Sequence, residues 1–322
     1  MSRRLPPLVI IGDVGVDLVM GPVDGWPRLG TESVIDQSEV RAGGSAGNTA
    51  LAMSYLGADS RLISAVGNDD FGRWLTGQFR GLKASLAVCD APTTVTVGFI
   101  HPSSERTFFT SRGHLEKFAY EHVRPLLPPA QDPNSIAMLS GVFLTPEIRR
   151  CYDRLIEELA QLGYQIALDT GWPPGGWDDQ ARQDVSRWIA KCDHILLNEL
   201  EVANFAAQEE LGAAIQHISR TLKAGASLIV KTGPKGALGF QAGQRFESQG
   251  EVLEIFDTIG AGDSFNAAYL LGRLNGYDLP DSLAVGCEAA ASIISRFPRS
   301  QIKPGELAGK IALAGMRLFA QR

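Results

Sequence analysis

The sequence predicts an α/β fold, a mostly parallel sheet covered by helices on both faces, with a small β appendage suited to act as a lid. Three observations carry this. From about residue 135 onward, short apolar runs alternate with helix-like segments. A two-strand pattern at 94–110 with one wet face does not fit that alternation and stands as a separate hairpin. Polar residues recur just after the strands: Asp13 and Asp17, Asp169, Asn198 and Glu201, and Thr232-Gly233. Open α/β sheets bind their ligands at the carboxyl ends of the strands, so this recurrence predicts one site built from several loops.

The elements follow in order. Leu8 to Ile11 is a buried strand ending in a Gly12-Asp13 turn. Asn48 to Leu56 has helical spacing and is closed by Gly57; Arg61 to Val66 is the next strand, followed by a helix around Phe71 to Phe79. From Thr94 to Ile100, Val95, Val97 and Phe99 alternate with Thr94, Thr96 and Gly98. A turn cluster at 101–105 returns the chain through Arg106 to Thr110. With the Gly/Pro-rich segment 21–40, this hairpin forms the appendage. Ile136 to Leu139 is a strand, followed by a helix near Pro146 to Leu162 that Gly163 stops. Strands then fall at Gln165 to Asp169, His194 to Leu197 and Ser227 to Lys231. An apolar strand-like run, Val252 to Phe256, leads to a helix over Ser264 to Leu274, and the small residues of Glu288 to Ile294 suit close packing.

Composition excludes several classes. The chain has 30 basic and 36 acidic residues, a net charge of −6, and no basic block, which argues against a nucleic-acid partner. The apolar run Leu8 to Ile11 is too short for a signal segment or a membrane span. Cys89, Cys151, Cys192 and Cys287 show no CxxC spacing and read as buried thiols in a reducing compartment, so a cytoplasmic protein is expected. The five histidines have no metal-ligand spacing. No GxSxG elbow, Walker motif or GxGxxG fingerprint is present.

The most informative stretch is Asp257-Thr258-Ile259-Gly260-Ala261-Gly262-Asp263-Ser264-Phe265. A small-residue turn between a strand and a helix makes an anion site: unpaired N–H groups converge, and the helix dipole adds positive potential. A carboxylate among such donors repels a phosphate unless it serves the chemistry, and Asp263 is placed to take a proton from an attacking hydroxyl. Gly43-Gly44 and Asn48 form a second glycine-rich turn, either a plain tight turn capped by Asn48 or, with Asp17, a pocket that reads hydroxyls. Asn198-Glu199-Leu200-Glu201 opens a helix; its carboxylates complement the dipole, or Asn198 and Glu201 hold water around a nucleotide-bound Mg²⁺. Lys231-Thr232-Gly233-Pro234-Lys235-Gly236 is a strand-end turn that lines a nucleotide or simply reverses the chain.

These residues resemble the ribokinase-like (PfkB-type) carbohydrate kinases over nearly the whole chain. The resemblance rests on Ala42 to Asn48 continuing through Leu56-Gly57-Ala58 to Val66-Gly67-Asn68-Asp69-Asp70-Phe71-Gly72, and on Asp257 to Phe265. It implies one ribokinase-like domain over 1–322, a three-layer α/β/α sandwich whose β lid comes from about 17–40 and 93–112. It implies phosphoryl transfer from ATP with Mg²⁺ to a sugar-type hydroxyl. Asp263 would be the base, with the backbone of Gly260, Ala261 and Gly262 as the anion hole. Asp17, Gly43, Gly44 and Asn48 would bind the sugar, and Asn198, Thr232, Gly233 and Gly236 the nucleotide. Glu201 would hold Mg²⁺ through water, and Asp257 a monovalent cation such as K⁺. A homodimer joined through the lid is also implied. The sequence departs from the family at Glu288, where an Asn near the adenine is common. It departs at Arg296-Phe297-Pro298-Arg299-Ser300, which lacks the glycine near the cation loop, and at Asp169-Thr170-Gly171-Trp172-Pro173. The lid, Thr94 to Arg112, would meet the substrate. Arg106 or Arg112 are candidates to greet an acidic group, and Phe99, Phe108 or Phe109 to hold the base of a nucleoside.

Overall fold

The computed structural model describes residues 8–101, 106–250, 255 and 257–308. Thirteen strands lie among them: β1 (Leu8–Gly12), β2 (Gly15–Gly21), β3 (Gln37–Gly43), β4 (Ser60–Gly67), β5 (Lys83–Cys89), β6 (Val95–Ile100), β7 (Arg106–Thr110), β8 (Ile136–Ser140), β9 (Gln165–Asp169), β10 (His194–Asn198), β11 (Ser227–Lys231), β12 (Ala237–Gln241) and β13 (Gln244–Ser248). Nine build one sheet in the order β13-β12-β11-β10-β9-β8-β1-β4-β5, and four build a second in the order β3-β2-β6-β7. The large sheet is parallel except at one edge, where β12 and β13 run antiparallel.

Both faces of the large sheet are covered. Every residue of β1 is buried; Val9 and Ile11 join one apolar cluster, Leu8 and Ile10 the other. The period of two along a strand sends alternate side chains to opposite faces, and continuous apolar runs are what a doubly covered sheet requires. Helices Tyr152–Gln161 and Asp179–Ile189 pack on the first face, and Ala261–Leu274 and Leu279–Ile294 on the second. Among the described residues no helix is long and apolar enough to cross a membrane.

After β1 the chain builds outward through β4 and β5, then restarts on the other side of β1 with β8. The order therefore reverses between β1 and β8, and such a switch point opens a crevice at the carboxyl ends of the strands. The second sheet stands over that end, because β2 follows β1 after only Asp13 and Val14.

Several expectations need correction. Asp17 lies within β2, and only the end of 21–40, from Gln37 on, joins a strand, β3. The helix expected from Asn48 starts at Ser45, and the one expected from Ser264 starts at Ala261. The helix expected over 146–162 is broken at Arg150-Cys151. β5, β12 and β13 add strands where none was expected. The apolar run 252–256 lies outside the described residues except for Ile255, and the turn at 101–105 except for His101.

Candidate active site

Gly260 has φ 73°, a left-handed conformation that a side chain would strain, and it caps the helix Ala261–Leu274. That conformation turns the chain sharply into the first helical turn, where the N–H groups have no intrahelical acceptor. Asp263 sits in this turn, half-buried. Asn48, in the second turn of the helix Ser45–Tyr55, donates from Nδ2 to Asp263 Oδ2 at 2.9 Å. Burial, then the charge of Asp169, push the Asp263 pKa up to about 8, against the Asn48 hydrogen bond and Lys231, which lower it. A helix N-terminus favours a carboxylate by about 0.3–1 kcal/mol, less than one pKa unit is worth, so here burial and like charge win.

Near Asp263, the residues Arg41, Asn48, Tyr55, Gly260, Ser264 and Arg299 line a cavity of about 420 Å³. Asp17 projects from β2 against β3, and a methyl group on Gly43 would come within 2.1 Å of its Cγ, so the close approach requires glycine at 43. Burial raises the Asp17 pKa to about 7, although Arg41 draws it down. Gly44, at φ 82°, is the residue before the helix, which Asp13 caps by accepting from the Ser45 and Ala46 amides at 3.1 and 3.2 Å. Asp13 is thereby committed to the backbone, and Asn48 is not a cap; its side chain reaches Asp263 instead.

Asn198 and Glu201 form a reciprocal capping box at 2.8 Å in each direction, at the start of the helix Glu199–Ala206. Burial, then Asp169, raise the Glu201 pKa to about 7. Lys231, ending β11, donates to Asp169 Oδ2 at 2.8 Å and to Asn266 Oδ1 at 3.3 Å, and Asn266 donates to Asp169 Oδ2 at 2.5 Å. A methyl group on Gly262 would come 3.5 Å from Lys231 Nζ, so this lysine lies beside the phosphate turn. Burial pulls the Lys231 pKa down, but Asp169 and Glu201 raise it overall. Thr232 to Gly236 does reverse the chain, since β11 pairs antiparallel with β12; the Thr232 amide bonds Gly236 O at 2.9 Å, while the Gly233 Cα faces open space.

This donor set suits Mg²⁺. Two carboxylates, Asp169 and Glu201, stand near the single charge of Lys231; burial first, and then the charge of Asp169, raise the Glu201 pKa. A divalent ion that keeps its own waters needs no cage of protein ligands beside them.

A third group joins the lid to the phosphate turn. Arg106 Nη1 donates to Thr258 O at 2.9 Å, and Gly98 of β6 leaves room for Phe108 and for Ile259. Arg112 is exposed and 3.5 Å from Glu116. Of the three lid phenylalanines, Phe108 shares the inner face with Gly98, whereas Phe99 and Phe109 meet Trp26 edge-on across the opposite face. Between the lid and the large sheet, Thr94, Thr110, Arg112, Phe143 and Pro173 line a cavity of about 380 Å³. Beneath the lid, Arg41 Nη1 lies 2.7 Å from Asp257 Oδ2 and 3.5 Å from Glu39 Oε2. Arg299 donates to the carbonyls of Asp257 and Ile259.

Lys231, Asn266, Arg41 and Arg299 were not picked out from the sequence as site residues. Lys231 and Asp169 each end an otherwise apolar strand, a faint signal. Their separation of 62 positions hides the pairing.

A carboxylate in the first turn of a helix, at the carboxyl end of a mostly parallel sheet and close to a second, smaller sheet, suits phosphoryl transfer. The chain belongs to the pfkB family of carbohydrate kinases, whose model matches residues 8–300. It is 27% identical to a fructokinase of Klebsiella pneumoniae over 282 residues, covering 85% of this chain and 86% of that protein. An adenosine kinase structure from Sinorhizobium meliloti superposes with a TM-score of 0.77 at 20% identity, covering 97% of this chain and all of the other. A ribokinase of Arabidopsis thaliana, solved with ribose and ATP, superposes at 0.73 and 19% identity, covering 97% of this chain and 99% of the other. The fold is thus ribokinase-like and the protein a carbohydrate kinase.

Proposed function

We propose that this kinase transfers the γ-phosphoryl group of ATP to a primary hydroxyl of a small sugar or sugar derivative held between the lid and Asp263. The observation that carries the reading is the contact between Asn48 and Asp263, which joins the hydroxyl-reading pocket to the phosphate turn. Asp17, Gly43, Gly44 and Asn48 orient the sugar; Asn198, Thr232, Gly233 and Gly236 hold the nucleotide side. Asp263 accepts the proton of the attacking hydroxyl as its oxygen approaches phosphorus in line, and its pKa near 8 suits a base that must take and return a proton near neutrality. The N–H groups of the 260–262 turn face the charge that grows on the transferring oxygens. Mg²⁺, held through water by Glu201 with Asn198 behind it, would neutralise phosphate charge. The lid latch, Arg106 to Thr258, excludes water from the reacting atoms.

A nucleoside acceptor is the second reading. Phe108 on the inner face of the lid offers an apolar ring, and an adenosine kinase shares the fold. We also propose that 1–322 acts as one domain and that two copies associate through the outer face of the lid. There Trp26 and Phe109 are 62% and 55% exposed, more apolar ring than a solvated sheet face usually carries. The four free thiols accord with a cytoplasmic setting. The test is ADP release from ATP and Mg²⁺ across a panel of sugars, sugar acids and nucleosides. Turnover with a sugar supports the first reading and with a nucleoside the second; ligand-induced melting shifts without any turnover contradict both.

A further inference from the structure

The turn before Gly260 is held by charge from within the protein. Arg299 is 7% exposed, and its two terminal nitrogens donate to the carbonyls of Asp257 and Ile259. Its Nη2 lies 3.6 Å from Asp257 Oδ2, an oxygen that also meets Arg41 at 2.7 Å. Asp257 Oδ1 accepts from the Ile259 amide at 2.8 Å. Glu39 completes the network, accepting from the backbone amides of Arg299 and Ser300 at 3.2 and 2.7 Å. Two carboxylates thus face two guanidinium groups in a buried set, held at Asp257 Oδ2 by charge rather than by hydrogen bonds.

A monovalent cation at this turn would take oxygen ligands: the Asp257 carboxylate and neighbouring carbonyls. Those carbonyls already accept from Arg299, and Asp257 Oδ2 already lies within ion-pair distance of Arg41 and Arg299. Adding a cation would place a third positive charge against two carboxylates at low dielectric, where like charges within a few ångströms repel strongly. The residues do not fit the ion that the family resemblance implied for Asp257.

The contact with Ile259 O reaches the chemistry through one peptide plane. The carbonyl of Ile259 and the N–H of Gly260 belong to the same planar, trans unit and point in opposite directions. Fixing the carbonyl toward Arg299 therefore aims the Gly260 N–H away from it, and Gly260 itself packs near this guanidinium, 3.4 Å from where its Cβ would stand.

We propose that Arg299 is a built-in replacement for a monovalent cation, a positioning residue that orients the phosphate turn and makes phosphoryl transfer independent of K⁺. The proposal rests on the kinase reading above. Its test compares the purified protein in tetramethylammonium and potassium salts at matched ionic strength, by steady-state kinetics and by thermal melting. The expected result is the same kcat, within about twofold, and the same melting temperature in both salts. Activation of the wild type by K⁺ of about fivefold or more would overturn it.

Arg299→Ala is expected to lose about tenfold or more in kcat with little change in sugar KM, and to regain activity and melting temperature with added guanidinium or K⁺. Wild-type kcat in Arg299→Ala would contradict the proposal, as would a loss that neither cation restores in a folded variant. Should Arg299→Ala fail to fold, Arg299→Gln, which keeps most of the length and loses the charge, supplies the same comparison. If no acceptor is turned over at all, the kinase reading fails, while the melting comparison still decides whether K⁺ binds the wild type.

Discussion

Asn48 and Asp263, 215 residues apart, meet at 2.9 Å through the Asn48 amide and the Asp263 carboxylate. This hydrogen bond ties the first helix of the pocket to the first turn of the phosphate helix, and it favours the ionised form of the base. Removing it should raise a pKa that burial has already lifted to about 8. Asn48→Ala is therefore expected to move the acidic limb of the kcat/KM profile to higher pH and to weaken sugar binding. An unmoved limb would separate Asn48 from the base.

In the wild type, activity should fall as pH drops through the pKa of Asp263, because a protonated base accepts nothing. Its environment places that limb above the ordinary carboxylate range near 4, unless bound Mg²⁺ draws it down. A limb that moves to lower pH as Mg²⁺ is raised is the expected pattern. A limb at the unperturbed value in limiting Mg²⁺ would contradict the burial argument.

Stability should respond to pH with the opposite sign. Asp263 at about 8, and Asp17 and Glu201 at about 7, keep protons in the folded state that the unfolded chain releases near 4. Between those values the folded state binds more protons, so stability declines as pH rises through the window. Asp263→Asn, which cannot ionise, should melt higher than the wild type at pH 8 and nearly the same at pH 4. Thermal melts of both proteins at the two pH values measure this directly.

Lys231→Met leaves Asp169 buried with Asn266 as its remaining side-chain partner. The pair is 13% and 8% exposed at its side chains, and breaking a buried pair costs about 3–5 kcal/mol. The variant should unfold at clearly lower denaturant concentration, and Asp169→Asn combined with it should recover part of the loss. Equal midpoints for the single and double variants would show that the pair is not coupled.

Much of this architecture is visible in the residues themselves, for physical reasons. Strands covered on both faces must be apolar throughout, so Leu8 to Ile11 and His194 to Leu197 stand out. Glycines forced by a turn or a close contact, Gly260 and Gly43, mark the site. The lid strands were harder to see. β2 and β3 carry Asp17, Glu39 and Arg41 inward, charges that burial in a network permits but that hydrophobic alternation hides. The edge strand β13 carries the polar residues Gln244, Arg245 and Glu247 and lacks the continuous apolar signal of the centre, and its neighbour β12 is interrupted by Gly239. The pairing of Lys231 with Asp169 is set by the sheet order, and that of Arg299 with Asp257 joins two connecting segments far apart in sequence; neither leaves a local trace.

The most direct measurement is the turnover of Asp263→Asn with the acceptor found in the substrate panel. The variant keeps the size and shape of the side chain and loses only its ability to take a proton. It should bind acceptor with an affinity close to the wild type and lose about 10²-fold or more in kcat. Full turnover in a folded Asp263→Asn protein would remove the base from the reaction and contradict the account.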